Sequence, residues 1–274
     1  MTLISSASAA VAPEAAVCDV AAFHTIRARA ADLKAMRQGL EPGYGENLPA
    51  SSLKHVDEQT LAGLAAVYGA VRANGLSNAD WTNWAVLAAP RFLGRAALIV
   101  SLQRYAVEGA WGMSPHFIPH RTLHSVSGTI SMALKIHGPN FGIDGGPAGP
   151  SQALLTAVSL LSGGTVPGIW LLLTGWDREP LAPLPAADED DALACRGVAL
   201  ALVPAQLQHS GFRLRIMPGT VYRASGSNGT PTASKPFGLE EIFEALARPH
   251  PSNKPLAWRL SCGGKAELRR GEIP

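Results

Sequence analysis

The chain has 274 residues, of which 47% are hydrophobic and only 16% are charged, so it is long enough to bury a sizeable core as one large domain or two small ones. Its net charge of +2 is small and its basic residues are spread along the sequence, which gives no electrostatic case for binding nucleic acid. The three cysteines, Cys18, Cys195 and Cys262, have no CxxC spacing. The sequence therefore predicts neither a zinc site nor a disulfide framework, and a reduced, cytoplasmic setting is expected.

The first 123 residues are predicted to alternate helices with one buried strand. Residues 23–38 are predicted to be helical, and residues 40–52, with two Pro and two Gly, to form a loop. Residues 60–74 carry Leu61, Leu64 and Tyr68 at helical spacing. A strand is predicted at 84–89 and a helix at 92–107. Residues 108–123 are dense in Trp, Met, Phe and Pro, and a further helix is predicted from about residue 120 to 132.

A Gly- and Pro-rich elbow lies between residues 138 and 157. It reads as a short strand around Phe141, a tight turn at 144–149 and a helix that begins near Ser151. Glycine tolerates the positive φ of such turns, and Pro150 suits the first turn of a helix. In many enzymes an elbow of this kind holds a nucleophile at the helix N-terminus. Residues 144–149 include no plausible nucleophile for acyl transfer.

The second half of the chain is predicted to be richer in strands. Residues 169–175 form an uninterrupted apolar run, which is typical of a strand in a parallel sheet covered on both faces. Strands are also predicted at 196–204 and 212–217, a helix at 239–247, and a hairpin at 255–261 and 265–269. Residues 220–234 are polar and predicted to be flexible. No run approaches the roughly 20 apolar residues that span a bilayer, and the alternation of strands and helices indicates a layered α/β fold.

The segment 125–157 resembles the nucleophile region of the β-ketoacyl synthases, which are thiolase-fold enzymes. The resemblance is carried by residues 127–131 (SGTIS), by the Gly-Pro pair at 138–139, and by residues 114–119 (SPHFIP). It covers roughly residues 48–203. It implies a thiolase-like (ketosynthase) fold in layered α-β-α form, essentially the N-terminal half only. Residues 1–204 would form the ketosynthase N-terminal-like domain, with an opening strand at 3–11, and residues 205–274 a short C-terminal extension packing on the same domain.

In this family the catalytic Cys stands eight residues past the Gly-Pro pair, at a position that Pro147 occupies here. Proline has no side-chain nucleophile. The family's two catalytic His residues come from a second half, but only His209 and His250 follow residue 204, and neither lies in the family's motifs. Covalent acyl transfer needs a nucleophile and a base within hydrogen-bond reach. We therefore predict no catalytic residue and expect no enzyme activity from the chain alone.

The family members that agree best are chain-length factors, the catalytically silent partners of active ketosynthases, and among them the short form found with aryl-polyene pigment clusters. This resemblance implies a heterodimer with a catalytic ketosynthase in type II polyketide biosynthesis, contact with an acyl-carrier protein through that partner, and no cofactor. It implies a partner interface at the elbow, formed by Asn140, Phe141, Gly142, Ile143, Asp144, Gly145 and Gly146. It also implies a gate that closes the acyl tunnel, for which the candidates are Trp111, Met113, Phe117 and Leu123.

Other interpretations of individual residues stay open. His116, His120 and His124 fall at i, i+4, i+8 and could share one helix face as metal ligands, but Pro119 interrupts the first turn and no acidic residue lies nearby to orient them. No metal site is therefore predicted. Ser151 could be a nucleophile, although a first-turn Ser is far commoner as a cap.

Two other functions also stay open. One is a freestanding acyl-thioester enzyme, such as a malonyl decarboxylase or an acyltransferase. The other is a homodimeric acyl-binding scaffold.

Overall fold

The computed structural model describes residues 15–37, 48, 50–113, 115, 120–143, 146–181, 193–206, 211–217, 219, 235–248 and 255–270. Its centre is one eight-stranded sheet with the strand order β3-β2-β4-β5-β1-β6-β8-β7. The strands are β1 (Ala16–Arg29), β2 (Ala85–Arg91), β3 (Asn140–Gly142), β4 (Ile169–Trp176), β5 (Ala194–Pro204), β6 (Phe212–Met217), β7 (Leu256–Arg259) and β8 (Lys265–Arg270). The helices are α1 (Ala30–Met36), α2 (Ala50–Leu53), α3 (Glu58–Ala73), α4 (Arg95–Glu108), α5 (His124–Leu134), α6 (Gly149–Ser162) and α7 (Leu239–Ala247).

The sheet is mixed rather than parallel. Strands β3, β2 and β4 run parallel, whereas β5 pairs antiparallel with β4 and with β1. Every residue of β4 is buried, which confirms the predicted central strand but corrects its setting, since β4 has a parallel neighbour on one side only. The three parallel strands end at the same edge of the sheet, which is where ligand sites lie in open α/β folds.

Two apolar layers cover the sheet, because successive strand residues point to opposite faces. Along β4, Leu171 and Leu173 belong to the layer that also contains α6 and α7. Trp170 and Leu172 belong to the layer formed with α1, α3 and α5. The molecule is therefore layered as α-β-α, as the sequence predicts.

Helix α3 packs closely on the sheet. Asp57 caps its N-terminus by accepting a hydrogen bond from the Gln59 backbone N–H at 2.9 Å. Its backbone almost touches β5, since a Cβ on Gly197 would lie 2.8 Å from the Ala62 carbonyl oxygen. Of its 16 residues, 13 are buried. Helix α4, by contrast, has no buried residue.

The N-terminal prediction is partly wrong. Residues 23–29 belong to β1, and helix α1 begins only at Ala30. Strand β1 pairs with β5 along its length and with β6 over its first residues, and these long-range ladders override the local helical preference. Helix α2 also begins inside the loop predicted at 40–52. The predicted strand at 3–11 and the flexible stretch at 220–234 lie outside the described residues.

The strands after residue 204 extend the same sheet. Strand β6 pairs with β1, β8 with β6 and β7 with β8, all antiparallel. The guanidinium of Arg213 on β6 donates to the fully buried Asp19 carboxylate on β1 at 2.7 Å. No helix in the described part of the chain is both long and apolar enough to cross a bilayer.

Candidate functional site

The elbow lies where the sequence predicts it. Strand β3 ends at Gly142, and helix α6 begins at Gly149 with Pro150 in its first turn. A Cβ on Gly142 would lie 2.3 Å from the Leu123 carbonyl oxygen, so β3 runs directly beneath the start of α5 and only glycine fits there. Pro147, which the sequence comparison predicts to occupy the position of the family's Cys, is exposed between these elements.

A cavity of about 840 Å³ opens beside Pro147. It lies at the carboxyl end of β2 and β3 and at the start of α4 and α5. Its lining consists of Pro90, Arg91, Phe92, Leu93, Arg95, Arg121, Thr122, Leu123, His124, Gly142, Gly146 and Pro147. Among the described residues, the lining contains three guanidinium groups and one imidazole, and no carboxylate.

Phe92 holds two of these arginines at the wall. The Arg91 and Arg95 guanidinium carbons lie 4.7 Å and 5.5 Å from the centre of its ring, within the range of cation–π attraction. The backbone of Phe92 has a φ of +65°, which is an outlier for an aromatic residue. Strained backbone of this kind persists where the surrounding structure over-determines it, and it clusters at functional sites.

Each arginine also forms an ion pair with one acidic residue that does not line the cavity. Arg91 contacts Glu240 at 3.3 Å, Arg95 contacts Glu179, and Arg121 contacts Asp57 at 3.4 Å. Each guanidinium carries five N–H donors, more than one carboxylate uses. Donors therefore remain for a group inside the cavity.

Asp57 is the buried member of this set. Burial, and secondarily the charge of Glu58, raise the pKa of its carboxyl to about 6, whereas the Arg121 charge and the backbone N–H groups of Gln59 and Gly94 act in the opposite direction. Because the same carboxylate caps α3 and contacts Arg121, it links the core helix to the cavity wall.

A second cavity, of about 470 Å³, lies on the other side of His124. Two of the residues that line it, Ser125 and Asn140, carry buried oxygen atoms that find no partner within the described part of the chain. Buried polar atoms of native proteins are nearly always hydrogen-bonded. Ser125 lies on α5 and Asn140 on the edge strand β3, so both oxygens lie beside the elbow.

The structure describes three of the four predicted gate residues. Leu123 lines the larger cavity, Met113 is half-buried, and Trp111 is 99% exposed at the end of the 3-10 turn Gly109–Gly112 that follows α4. Phe117 lies outside the described residues.

The predicted interface residues lie along the sheet edge and the elbow. Asn140, Phe141 and Gly142 form β3, the terminal strand of the described sheet. Phe141 is 43% exposed, and Ile143 and Gly146 are half-buried. Asp144 and Gly145 lie outside the described residues.

None of the three cysteines lines this cavity. Cys18 and Cys195 are buried in the core, where burial raises the pKa of the Cys18 thiol to about 12 and that of Cys195 well above its ordinary range. Both thiols are therefore protonated and poor nucleophiles. Cys262 is exposed in the turn between β7 and β8.

Ser151 also points away from the cavity. Its buried hydroxyl donates to the Phe237 carbonyl at 3.4 Å and accepts from the Ser261 backbone N–H at 3.3 Å. It ties the elbow helix to the C-terminal strands. Among the described residues, no group of three or more His, Cys, Asp or Glu side chains is placed to hold a metal.

No protein-family model matches the sequence, and no curated protein matches it either. Solved structures do match. A chain from the complex of the ketosynthase ApeO with its chain length factor ApeC, from Xenorhabdus doucetiae, is similar with a TM-score of 0.55 and 13% identity over 93% of this chain and 99% of that chain. The fold is that of the thiolase-like ketosynthases.

Two further ketosynthase structures are similar over a smaller share of this chain. A β-ketoacyl synthase from Burkholderia phymatum matches with a TM-score of 0.50 and 12% identity over 70% of this chain and 60% of that chain. The ishigamide ketosynthase/chain length factor matches with a TM-score of 0.49 and 16% identity over 70% and 63%. The present chain thus spans less than two thirds of the length of these two chains.

The arginine-lined wall is the part of the site that sequence reasoning missed. Arg91 is the last residue of β2 and Arg95 the first of α4, positions at which α/β folds place ligand contacts. The positions of Arg91 and Arg95 at the strand end and the helix start could therefore have predicted their place in the site. Arg121 precedes α5 and reaches the same cavity only through tertiary packing.

Proposed function

We propose that this chain is a non-catalytic ketosynthase-like subunit, a chain-length factor, that pairs with an active ketosynthase. The observation that carries the proposal is Pro147, which stands at the nucleophile elbow of a ketosynthase fold and borders its cavity. Covalent acyl transfer needs an activated nucleophile at that place, and proline supplies none. The fold is retained while the reacting atom is absent.

Helix α4 supports the need for a partner. Its apolar Leu98, Leu102 and Tyr105 recur at helical spacing and are between 39% and 54% exposed, and Trp111 follows at the end of the adjoining turn. Exposed apolar surface of this kind marks interaction sites. Obligate complexes bury about 2,000 Å² or more in total, and we propose that the partner covers both α4 and the edge of β3.

The proposed partner is a ketosynthase whose own edge strand meets Asn140, Phe141, Gly142, Ile143, Asp144, Gly145 and Gly146. The acyl-carrier protein would deliver the growing chain to that partner. This pairing is supported by the chain-length-factor complex whose matched chain is covered over 99% of its length. The setting we propose is type II polyketide biosynthesis of the aryl-polyene kind, in which residues 1–204 form the ketosynthase-like domain and 205–274 its extension.

Within the complex, Trp111, Met113, Phe117 and Leu123 would close an apolar tunnel between the subunits. Each buried CH₂ contributes about 0.8 kcal/mol, so an acyl chain gains binding with each extension until a bulky side chain stops it. Trp111 is almost fully exposed in the free chain, which fits a side chain that is completed by a partner surface.

The test is co-expression with a candidate ketosynthase from the same genome, followed by size-exclusion chromatography and mass analysis of the products. We expect a one-to-one complex that Leu102→Asp disrupts. The matched control is Ala247→Asp, which places the same charge at an exposed position on α7 and should leave the complex intact. In the intact complex, Trp111→Ala and Leu123→Ala should lengthen the products.

Two outcomes contradict the proposal. A soluble homodimer that ignores the ketosynthase would favour the acyl-binding scaffold. Turnover of an acyl thioester by the chain alone would favour the freestanding enzyme, and Ser151→Ala would then be the first variant to assay.

A further inference from the structure

The charge of the chain is divided unevenly between its two parts. Residues 205–274 carry ten Lys and Arg against five Asp and Glu, whereas residues 1–204 carry thirteen against sixteen. The small net charge of +2 therefore combines a basic C-terminal part with an acidic remainder. An asymmetry of this kind points to a partner of opposite charge rather than to a requirement of the fold.

Strands β6, β8 and β7 gather much of this positive charge on one face of the sheet. Their buried apolar residues all belong to the layer that contains α6 and α7. Since successive strand residues point to opposite faces, the residues between them point away from that layer. Five of these are cations, which form the basic face: Arg213, Arg215, Arg259, Lys265 and Arg269.

Two buried carboxylates neutralise part of the basic face. Asp19 on β1 pairs with Arg213 at 2.7 Å. Glu267 on β8 pairs with Lys265 at 2.7 Å and with Arg269 at 3.1 Å. Two carboxylates thus serve three of the five cations.

The other two cations, Arg215 and Arg259, are exposed. Within the described part of the chain, neither of them is a member of the ion pairs formed by these carboxylates. The segments that adjoin β1, β6, β7 and β8 in sequence but lie outside the described residues add two acidic and two basic residues, namely Glu14, Glu272, Arg223 and Lys254. The excess of positive charge is therefore unchanged when these segments are counted.

Like charges lie directly opposite each other on neighbouring strands of the basic face. Arg213 on β6 is opposite Arg269 on β8, and Arg259 on β7 is opposite Lys265 on β8. The Cβ atoms of such pairs are about 4.5–5.5 Å apart, and like charges at this separation destabilise a sheet. A carboxylate bound between them would relieve this repulsion.

The basic face has the dimensions of one helix. Neighbouring strands lie about 4.8 Å apart and six strand residues extend about 20 Å, so three strands present an area of about 10 Å by 20 Å. An α-helix is about 10 Å wide and covers 20 Å with about 13 residues. Alternate residues along a strand are about 7 Å apart, close to the 6 Å between residues i and i+4 of a helix.

Two other kinds of polyanion match the basic face less closely. Glu267 lies in the middle strand, opposite Arg215 on one side and Ala257 on the other, so the evenly spaced phosphates of a nucleic acid would meet a carboxylate at the centre. Membrane-binding surfaces insert apolar side chains. The apolar residues that these three strands place on this face are Met217 and Ala257, and both are half-buried.

We propose that the basic face binds the acidic side of a helix from another protein. Clusters of arginine are a recurrent means of recognising acidic segments, and a guanidinium can pair with a carboxylate through two parallel hydrogen bonds. The basic face lies towards the end of the sheet opposite to β3. The proposal therefore adds a second interaction surface and does not depend on the pairing with a ketosynthase.

The test follows the fluorescence anisotropy of a labelled peptide as the purified full chain is added. The peptide is an alanine-based helix of about 14 residues, stapled to keep it helical, with glutamates at i and i+4 spacing along one side. The matched control peptide has glutamine in place of each glutamate. At low ionic strength we expect a Kd of about 0.1 mM or tighter for the acidic peptide and roughly tenfold weaker binding of the control, with a loss of affinity as salt is added.

Variants of the chain separate the basic face from general surface charge. Arg215→Gln and Arg259→Gln should each weaken binding of the acidic peptide by roughly threefold or more. Arg259→Gln also removes a like charge opposite Lys265, so the urea midpoint should rise while the affinity falls. The matched control is Arg248→Gln, which changes an exposed arginine at the end of α7 and should leave binding unaltered.

Four results would overturn the inference. The first two are the absence of binding of the acidic peptide at about 1 mM and equal binding of the glutamine peptide. The third is a loss of affinity in Arg248→Gln equal to that in Arg215→Gln. The fourth is tighter binding, at the same concentration of negative charge, of a single-stranded oligonucleotide or of phosphatidylglycerol vesicles, which would assign the basic face to a nucleic acid or to a membrane surface.

Discussion

Helices α3 and α4 are nearly equal in length, 16 and 14 residues, and both are rich in Ala, Leu and Val. Of α3, 13 residues are buried; of α4, none are. The two helices differ in their N-terminal caps and in how closely they approach the sheet. Asp57 caps α3 and Gly197 lets it approach the sheet, whereas α4 runs from Gly94 to Gly109 without a side-chain cap. Most helical stability in proteins comes from packing, and the described part of the chain packs around α3 but not around α4.

The largest expected effect is the contrast between a core leucine on α3 and an exposed leucine on α4. Leu64→Ala on α3 should lower the free energy of unfolding by about 2–5 kcal/mol, because it leaves a cavity in the core. Leu102→Ala on α4 should change it by less than about 0.5 kcal/mol in the free chain. Urea unfolding followed by circular dichroism measures both, and equal losses would show that α4 is packed in the isolated protein.

The next effect concerns the cap of α3 and depends on pH. Burial raises the pKa of Asp57 to about 6, above its value in the unfolded chain, so the folded state binds more protons between about pH 4 and pH 6. Stability should therefore fall as pH rises through this window, by an order of about 3 kcal/mol in total. Asp57→Asn, which can still cap the helix, should flatten this fall.

The matched control for this prediction is Asp80→Asn, since Asp80 is exposed and accepts a hydrogen bond from Thr82 instead. Urea unfolding at several pH values between 4 and 7 compares the variants. If Asp57→Asn unfolds with the same pH dependence as the unaltered chain, the carboxyl of Asp57 does not titrate in this range.

A smaller effect is expected where α3 touches the sheet. Gly197→Ala would place a methyl group 2.8 Å from the Ala62 carbonyl oxygen, and the helix would have to move away. A cost of about 1–3 kcal/mol is typical of such overpacking. Gln103→Ala on the exposed face of α4 should change the midpoint of thermal unfolding little, and a larger shift for Gln103→Ala would reverse the comparison of the two helices.

The smallest effect on stability is expected at Trp111, whose fluorescence reports on the surroundings of α4. Four of the six tryptophans are buried, namely Trp81, Trp170, Trp176 and Trp258, whereas Trp111 is 99% exposed. Trp111→Phe should leave the unfolding midpoint unchanged but remove most of the fluorescence that acrylamide quenches readily. Binding of the ketosynthase should protect the fluorescence of Trp111 from quenching by acrylamide. Unchanged quenching in the complex would place Trp111 outside the interface.

The sequence predicted those parts of the fold that local patterns determine. The helix expected at 60–74 is α3, and the apolar run at 169–175 is β4, because hydrophobic periodicity and unbroken burial are local signals. Local pattern predicts a helix at 23–29, but these residues belong to β1, because they pair with residues of β5 that lie 165 to 177 positions away in the chain.

Of the residues that line the cavity, the sequence located only Pro147, Leu123 and His124 as residues of interest beyond the predicted interface. Counting from the Gly-Pro pair located Pro147, and the structure places Pro147 at a cavity. The arginines of that cavity come from β2, α4 and the segment before α5, and their meeting depends on how these elements pack. Similarly, an apolar pattern in residues 92–107 predicts a helix, but it does not reveal that none of the residues of α4 is buried in the described structure.

Strand β6 pairs with the first residues of β1, so a shortened chain that lacks β6 would leave them unpaired on that side. A product that stops at residue 204 would lose Arg213, which donates to the buried Asp19 carboxylate at 2.7 Å, and removal of one partner of a buried ion pair costs about 3–5 kcal/mol. It would also leave residues 16–20, which pair with β6 and of which 18–20 pair with β5 as well, as an open edge, which is a template for aggregation. Expression of any truncated version should therefore retain the chain at least to Arg270.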